Sequence, residues 1–337
     1  LSYLQTDWYI AQMKRGAYKS EPLPISWNEK DFVAGKNEVV WVEELIKQPL
    51  DVKTAFEFLL DPQTAQNGES VIPSKQLYFP INAQQVINTG TLPVSRAGEI
   101  IPQIDLTLGR RLTKSELMIL EILKTNNWKR PVYFAVTVGD DYYLGMKDHF
   151  ELTGLAYQVL PIGVKDSGSK VNVDEMYTNM MTKFRFGGIE NPKVYLDENT
   201  LRMCRTHRMM FSELIGALYN QGDSVRTLKA LDYCNKVIPG ETVRHDYIST
   251  GLAEFYYKLG EVQKGDAIMD AVAKDCVENL EWYFSLKSSQ RNSVNNRIGH
   301  NLAVLGQVLR ICDQEKQKNM LDKYLPIYMK YTKNGDM

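Results

Sequence analysis

The spacing of apolar and polar positions changes character near residue 170. Before that point short apolar runs are broken by Pro, Gly, Asn and Asp, with brief helical stripes between them. Residues 1–4 read as a short strand, and Thr6 or Asp7 supplies an N-cap oxygen to a helix on which Ile10 and Met13 share a face. Pro22 and Pro24 end that segment. Residues 38–42 read as strand, 51–60 as a helix stopped by Asp61-Pro62, and 75–81 as extended chain. A helix over 83–88 runs into Thr89-Gly90, where glycine can take the left-handed cap, and a further β segment spans 99–108. Thr113-Lys114-Ser115-Glu116 is a capping box that opens a helix striped by Leu117, Leu120, Ile122 and Leu123. The run 132–138, β-branched and aromatic, suits a strand buried on both faces. Gly139-Asp140-Asp141 then turns the chain, and 155–160 forms a strand closed by Pro161. Strands alternating with helices predict an α/β N-terminal domain over residues 1–170, a mixed or parallel sheet with flanking helices whose strand order is not readable.

From Val173 onward the period is helical. Met176, Tyr177, Met180 and Met181 make one face, and residues 184–188 end that helix. Asp197 caps a long helix that stops at Gly222-Asp223, and a second helix over 224–238 stops at Pro239. Phe211, Leu214, the Gly222-Asp223 turn and Pro239 match a tetratricopeptide unit, with Ile215 and Thr227 where small residues usually let the paired helices approach. A second hairpin over 246–274 carries Leu252, Ala253, Tyr256, the turn Gly260-Glu261 and Gly265, with small residues at both close positions. The two turns lie 38 residues apart, against about 34 for the standard unit. A third hairpin, 297–312 and 314–330, keeps Leu302, Val304, Leu305, Val308 and Leu309 in register but lacks the turn signature, as terminal repeats often do. Residues 171–337 therefore read as an all-α, tetratricopeptide-like helical-hairpin array, with a generic helical bundle as the alternative.

At 337 residues the chain exceeds the roughly 250–300 at which single cores split, so length also favours two domains. Hydrophobic residues at 44% and charged residues at 24% suffice for a packed core throughout and exclude the composition of disorder. Lys and Arg number 18 against 20 Asp and Glu in residues 1–170, and 22 against 21 in the remainder; neither part carries a nucleic-acid footprint. The longest apolar stretch, residues 132–136, falls far short of the ~20 residues that cross a bilayer, so this chain itself is not expected to span a membrane. It opens on Leu1 without a signal-like segment, the expectation for an excised or processed piece. Cys204, Cys234, Cys276 and Cys312 lie about one hairpin apart with no C-x-x-C pair; they read as small buried core residues, a disulfide between neighbouring hairpins being the other possibility.

Candidate chemistry is sparse. His149, His207, His245 and His300 are scattered, without a second ligand at metal spacing, and no P-loop, G-x-G-x-x-G, G-x-S-x-G or H-E-x-x-H occurs. No catalytic residue, metal or cofactor is predicted. Two segments are candidates for ligand binding. Thr6-Asp7-Trp8-Tyr9 falls where a strand would hand over to a helix N-terminus, the place at which open α/β sheets bind ligands, and Trp8 and Tyr9 could stack on a sugar. The commoner role of such aromatics is to fill the helix–sheet interface, with Asp7 a cap. Arg202, Arg205 and Arg208, beside His207, recur every third residue as a cationic stripe that could dock an anion or acidic peptide; the commoner role is salt bridging on a solvated face. Asp140-Asp141 reads as a solvated turn.

Several stretches are familiar as a set: Leu1-Ser2-Tyr3-Leu4-Gln5-Thr6-Asp7-Trp8-Tyr9-Ile10, Leu23-Pro24-Ile25-Ser26, Asn127-Trp128-Lys129-Arg130-Pro131-Val132-Tyr133-Phe134-Ala135, and Tyr195-Leu196-Asp197-Glu198-Asn199 with Arg202-Met203. With them the chain resembles, over nearly its whole length, the soluble C-terminal region of a bacterial family of multi-spanning membrane proteins related to the animal transmembrane protein O-mannosyltransferase. The resemblance implies a membrane-embedded glycosyltransferase of the lipid-linked-sugar type. Its catalytic acidic residues would lie in an N-terminal membrane portion outside this sequence, and this part would hang on the extracytoplasmic, periplasmic face of the inner membrane. No catalytic residue of the family carries over. The implied role is an accessory domain that positions an acceptor polypeptide or organises assembly, its partners being that acceptor or another protein and the parent membrane domain in cis. Two other readings stay open: a free-standing tetratricopeptide scaffold that binds a peptide in its groove, and an enzyme whose site lies at the α/β strand ends near Asp7.

Overall fold

Strands in the first part of the chain are two to five residues long, too short for one broad sheet, and they assemble as three separate three-stranded sheets. The computed structural model describes residues 2–17, 19–163 and 170–333, which form two compact units, Leu1–Lys170 and Val171–Met337. In the first unit α1 (Asp7–Arg15) and a single turn α2 (Glu29–Phe32) precede β1 (Val39–Val42), β2 (Leu50–Asp51) and α3 (Val52–Leu60). Next come β3 (Val71–Ile72), β4 (Gln76–Pro80), α4 (Ala83–Asn88), β5 (Gln103–Thr107), β6 (Arg111–Thr113) and α5 (Lys114–Asn126). The unit closes with β7 (Tyr133–Ala135), β8 (Phe150–Leu152) and β9 (Ala156–Val159). One sheet has the order β3-β1-β6, a second β2-β4-β5 and a third β7-β9-β8. The pairs β1–β3 and β2–β4 are parallel, and the others are antiparallel. The expected mixture of helices and strands with parallel pairs is present, but divided among small sheets.

Helix starts follow the sequence closely. Thr113 and Glu116 make the reciprocal capping box of α5, Asp51 accepts from Lys53 N–H at the start of α3, and Gly90 takes φ +69° after α4. α5 also carries two buried charges. Lys114, with no exposed surface, donates to the carbonyls of Phe32 and Val33 and pairs with Glu38 at 2.6 Å. Glu121 accepts from the Ser26 backbone and hydroxyl and pairs with Lys124. Buried charges require partners of this quality, and these staple the segment 26–38 onto α5, over a core that includes Trp27, Phe32 and Phe56.

Three expectations for this unit are corrected. Residues Ser2–Gln5 form a 3₁₀ turn, not a strand. The Thr6 N–H and hydroxyl both return to the Tyr3 carbonyl, at 3.0 and 2.8 Å, and Tyr3 folds back against the Trp8 and Tyr9 rings. Residues 132–138 hold only the three-residue β7, and it is buried on one face: Phe134 points into the core while Tyr133 and Ala135 are exposed. An antiparallel sheet can leave one face wet, so the apolar composition was not evidence for two buried faces. Within 99–108 the strand begins only at Gln103, after a 3₁₀ helix over Val94–Glu99.

The second unit is helical: α6 (Val173–Thr178), a π-helical turn (Asn179–Lys183), α7 (Glu198–Asn220), α8 (Ser224–Val237), α9 (Tyr247–Lys258), α10 (Val262–Ser285), a short α11 (Ser288–Asn292), α12 (Asn295–Gln314) and α13 (Lys318–Lys333). Asp197 caps α7 through Thr200 N–H, Asp223 caps α8 through Arg226 N–H, and Asp246 caps α9. Gly222 and Gly260 adopt φ +76° and +80° and let Asp223 N–H and Glu261 N–H return to carbonyls of the preceding helix. α7 packs on α8 and α9, α9 on α10 and α12, and α12 on α10 and α13, so successive hairpins stack. α10 runs on to Ser285, eleven residues beyond the expected end at Lys274, before the array resumes at α12. The third turn is left-handed at Lys316, without glycine. All four cysteines are free, buried and helical, and burial pushes the thiols of Cys234 and Cys276 up to about 12.

Candidate functional site

With no strand before it, α1 does not present its N-terminus at a sheet end. Thr6 occupies the N-cap position, but its hydroxyl donates backward to Tyr3, and Asp7 Oδ1 accepts from Trp8 N–H at 2.7 Å. What remains is aromatic: Tyr3 is 62% and Trp8 55% exposed, and the rings of Tyr3, Trp8 and Tyr9 contact each other at 5.6–5.8 Å.

The three arginines of α7 do not form one stripe. A step of three residues turns the helix by about 300°, so successive arginines drift by about 60° and Arg208 points about 120° away from Arg202. Arg202 is exposed and reaches Asn199, and Arg205 is half exposed with Nε 3.8 Å from an Asp246 carboxylate oxygen. Arg208 has no exposed surface. Its guanidinium donates to the carbonyls of Arg244 (2.9 Å), Ile238 (3.2 Å) and Val243 (2.6 Å), and stands 3.9 Å from Asp246 Oδ1. Planar donors in a fixed fork suit this task, which is to pin the loop between α8 and α9 from behind.

The outer side of that loop walls a groove of about 680 Å³. Pro239, Gly240, Glu241, Arg244 and His245 of the loop form one side, Asp232 and Asn235 of α8 another, and Lys264, Ala267, Ile268, Ala271 and Asp275 of α10 the third. Tyr256 of α9 also lines it: its hydroxyl donates to Asp232 at 2.9 Å and accepts from Asn235 Nδ2 at 3.0 Å, and Lys264 pairs with Asp232. Arg244 reaches Asp275 on α10 at 2.8 Å. Ala267 and Ala271, exposed one helical turn apart, leave room between these paired charges. The imidazole of His245 packs on Gly240, where a Cβ would stand 2.5 Å from its Nε2. Burial, helped by the Arg208 cation, lowers the His245 pKa to about 4, so the ring is neutral at physiological pH. Paired charges, small residues and a neutral imidazole can hydrogen-bond an extended polypeptide without favouring either sign.

Of the groove residues the sequence singled out Pro239 and Tyr256, as parts of the repeat pattern, and His245, as an isolated histidine, and none of them as a binding residue. The available signal was Pro239-Gly240 followed by a polar loop between two helices, a combination that marks any interhelical connection. Among the described residues no group of three or more His, Cys, Asp or Glu could hold a metal, and no helix is long and apolar enough to cross a membrane.

No curated protein and no solved structure matches the chain. Residues 1–177, which comprise the whole first unit and all of α6 but its last residue, match a known family, TMEM260-associated domain 2. Since that match covers more than half of the 337 residues, the chain belongs to the family of TMEM260-associated domain 2.

Proposed function

We propose that this chain is the accessory portion of a TMEM260-like, membrane-embedded glycosyltransferase of the lipid-linked-sugar type, placed on the extracytoplasmic side. Its helical unit, read as a tetratricopeptide-like array, holds an acceptor polypeptide or protein partner. The observation that carries this reading is the groove between α8, α10 and the loop that Arg208 pins, open enough for an extended chain and lined by hydrogen-bonding side chains on three sides. The family match supplies the link to the membrane protein.

The test titrates candidate acceptor polypeptides against the wild-type chain and two double variants. Ala267→Arg with Ala271→Arg fills the groove from exposed helical positions that tolerate the change, and should weaken binding by about 1–3 kcal/mol or abolish it. Arg202→Ala with Arg205→Ala removes the exposed arginines and should have the same effect only if both make charge-assisted hydrogen bonds to the ligand. Unchanged affinity in the groove variant defeats the assignment to the groove. In parallel the chain is incubated with lipid-linked mannose and the same acceptors; sugar transfer by this chain alone would overturn the accessory role. That the family match stops at residue 177 favours one second reading, a scaffold whose helical unit binds peptide independently of any sugar chemistry. Equal affinity for peptides that are not glycosylation acceptors would support it.

A further inference from the structure

A second cavity, in the first unit, is less open to solvent than the groove. It measures about 160 Å³ and is walled by Phe79 of β4, Ile104 of β5, Leu123 of α5, Val159 of β9 and Met146. Phe79, Ile104, Met146 and Val159 are buried. Of the polar residues that line it, Lys53 and Asn127 are exposed and Asp51 and Lys124 half-buried, and these mark its mouth together with the half-buried Trp128, while Asn126 is buried with both amide atoms bonded to the Arg130 backbone.

Two of the segments that line the cavity have costly backbones. After α5 the chain passes through two consecutive left-handed residues, Asn127 at φ +44° and Trp128 at φ +59°. Asparagine tolerates this region; a tryptophan there is strained, because its Cβ crowds the backbone. The conformation is held by Asn126, which bonds both the N–H and the carbonyl of Arg130, and by the Thr91 hydroxyl on the Trp128 carbonyl. Met146 is likewise delivered by Leu144 at φ +51° followed by Gly145. Strained residues persist where the surroundings over-determine them, and they concentrate at ligand sites. Here both strained turns aim a side chain at the same cavity.

We propose that this cavity binds a single six-membered aromatic ring whose substituent carries a cationic or hydrogen-bond-donating group to the Asp51 carboxylate. Size sets the ring: an apolar cavity of about 150 Å³ takes up benzene. The Phe79, Ile104, Met146 and Val159 walls offer the hydroxyls of a free monosaccharide no partner, and the Asn126 amide beside them is already bonded to Arg130, so a sugar buried there would lose hydrogen bonds. Charge selects the substituent. The ammonium of Lys124 is turned away, onto Glu121 and Ser26, and Lys53 stands beside Glu57, so the anion at the mouth is Asp51. One Asp51 oxygen accepts from Lys53 N–H as the α3 cap. The shared chemistry, an arylalkylamine or a phenol, could arrive as a free small molecule or as an aromatic side chain of a polypeptide.

The experiment labels the methionine methyl groups of the full chain with ¹³C, assigns Met146 with Met146→Leu, and titrates toluene, benzylamine, tyramine, a phenylalanine-containing peptide amide and methyl mannoside. The expected result is a saturable shift of the Met146 methyl with the ring compounds, tighter for the amines than for toluene, and none with the mannoside. Asp51→Asn keeps the helix cap, since asparagine caps as well as aspartate, and should weaken the amines roughly tenfold while leaving toluene unchanged. Val159→Phe fills the cavity and should abolish every shift; if that variant does not fold, the Asp51→Asn comparison decides. Response to the amines alone assigns a small molecule, and response to the peptide assigns a side-chain anchor. No saturable Met146 shift with any ring compound, or an equal shift with the mannoside, overturns the proposal.

Discussion

Replacing Arg208 by methionine keeps most of the apolar stem and deletes the guanidinium. The buried carbonyls of Ile238 and Val243 and the part-buried carbonyl of Arg244 then lose their donor, and Asp246 loses a cation 3.9 Å away. An abandoned buried acceptor costs about 1–3 kcal/mol, but the wild type already bears the desolvation of a buried cation, which offsets part of the loss. Burial is the main reason the Arg208 pKa lies below its ordinary value, with Asp246 opposing. The net expectation is about 3–5 kcal/mol, the range measured when one partner of a buried charged network is removed. For a unit of this size each kcal/mol moves the midpoint by about 2–4 °C, so the helical unit should melt roughly 6–20 °C lower. Arg208→Lys retains the charge but not the fork, and should recover less than half of that loss. The assay is thermal unfolding of the full chain, with hydrogen exchange read at Thr242 and Val243, whose N–H groups bond the Pro239 carbonyl within the loop. Local exchange should accelerate in the Met variant even well below the midpoint. If exchange and midpoint both stay at wild-type values, Arg208 does not hold the loop, and the groove has no fixed wall.

Other outcomes follow from the same geometry. His245 should make the helical unit acid-sensitive. Its folded pKa of about 4 lies below the ordinary 6.5, so the unfolded chain binds the extra proton; this stability is complete above about pH 6.5 and falls by roughly 3 kcal/mol as the pH drops toward 4. His245→Asn should flatten that slope in denaturant melts at pH 7 and pH 4.5. Gly222→Val should destabilise by more than ~1 kcal/mol through backbone strain alone, because φ is +76° and nothing lies within 4 Å of the added Cβ; Gly222→Asn should cost less, and equal midpoints for all three proteins would exclude a strained cap. Gly265→Ala should cost about 1–3 kcal/mol for the opposite reason: its φ is ordinary, but the new methyl would overlap the Tyr257 ring, which its hydroxyl bond to Asp266 holds in place. Tyr257→Leu in the same background should restore part of the loss.

The parts of the fold that were legible are those fixed by local chemistry. The capping box at Thr113–Glu116, the cap Asp197 before α7, and glycines 90, 222 and 260 each act within a few residues of themselves, and each is found in the expected role. Errors arose where the answer depended on a distant partner. Residues 2–5 have the composition of a strand, but no edge is paired with them, and ring packing among Tyr3, Trp8 and Tyr9 takes them instead. Residues 132–138 were apolar enough to be buried on both faces, yet only the identity of the neighbour, β9 in an antiparallel sheet, decides how many faces are covered. The division of the strands among three sheets in the described residues is likewise a fact about pairing, which alternation along one chain does not encode.

The candidate site shows the same limit one level up. Spacing placed Arg202, Arg205 and Arg208 together, because three-residue steps look periodic in a sequence, but their drift around the helix divides them between solvent and core. The arginine that does most for the groove is thus the one without exposed surface, and it acts through loop carbonyls 30 to 36 residues away. A guanidinium can be buried only where such acceptors converge, and convergence is a property of the α7, α8 and α9 packing, not of the arginine's neighbours in sequence. The chemistry-bearing surface is therefore made by a residue that never touches it, and a motif search directed at exposed charge would pass over it.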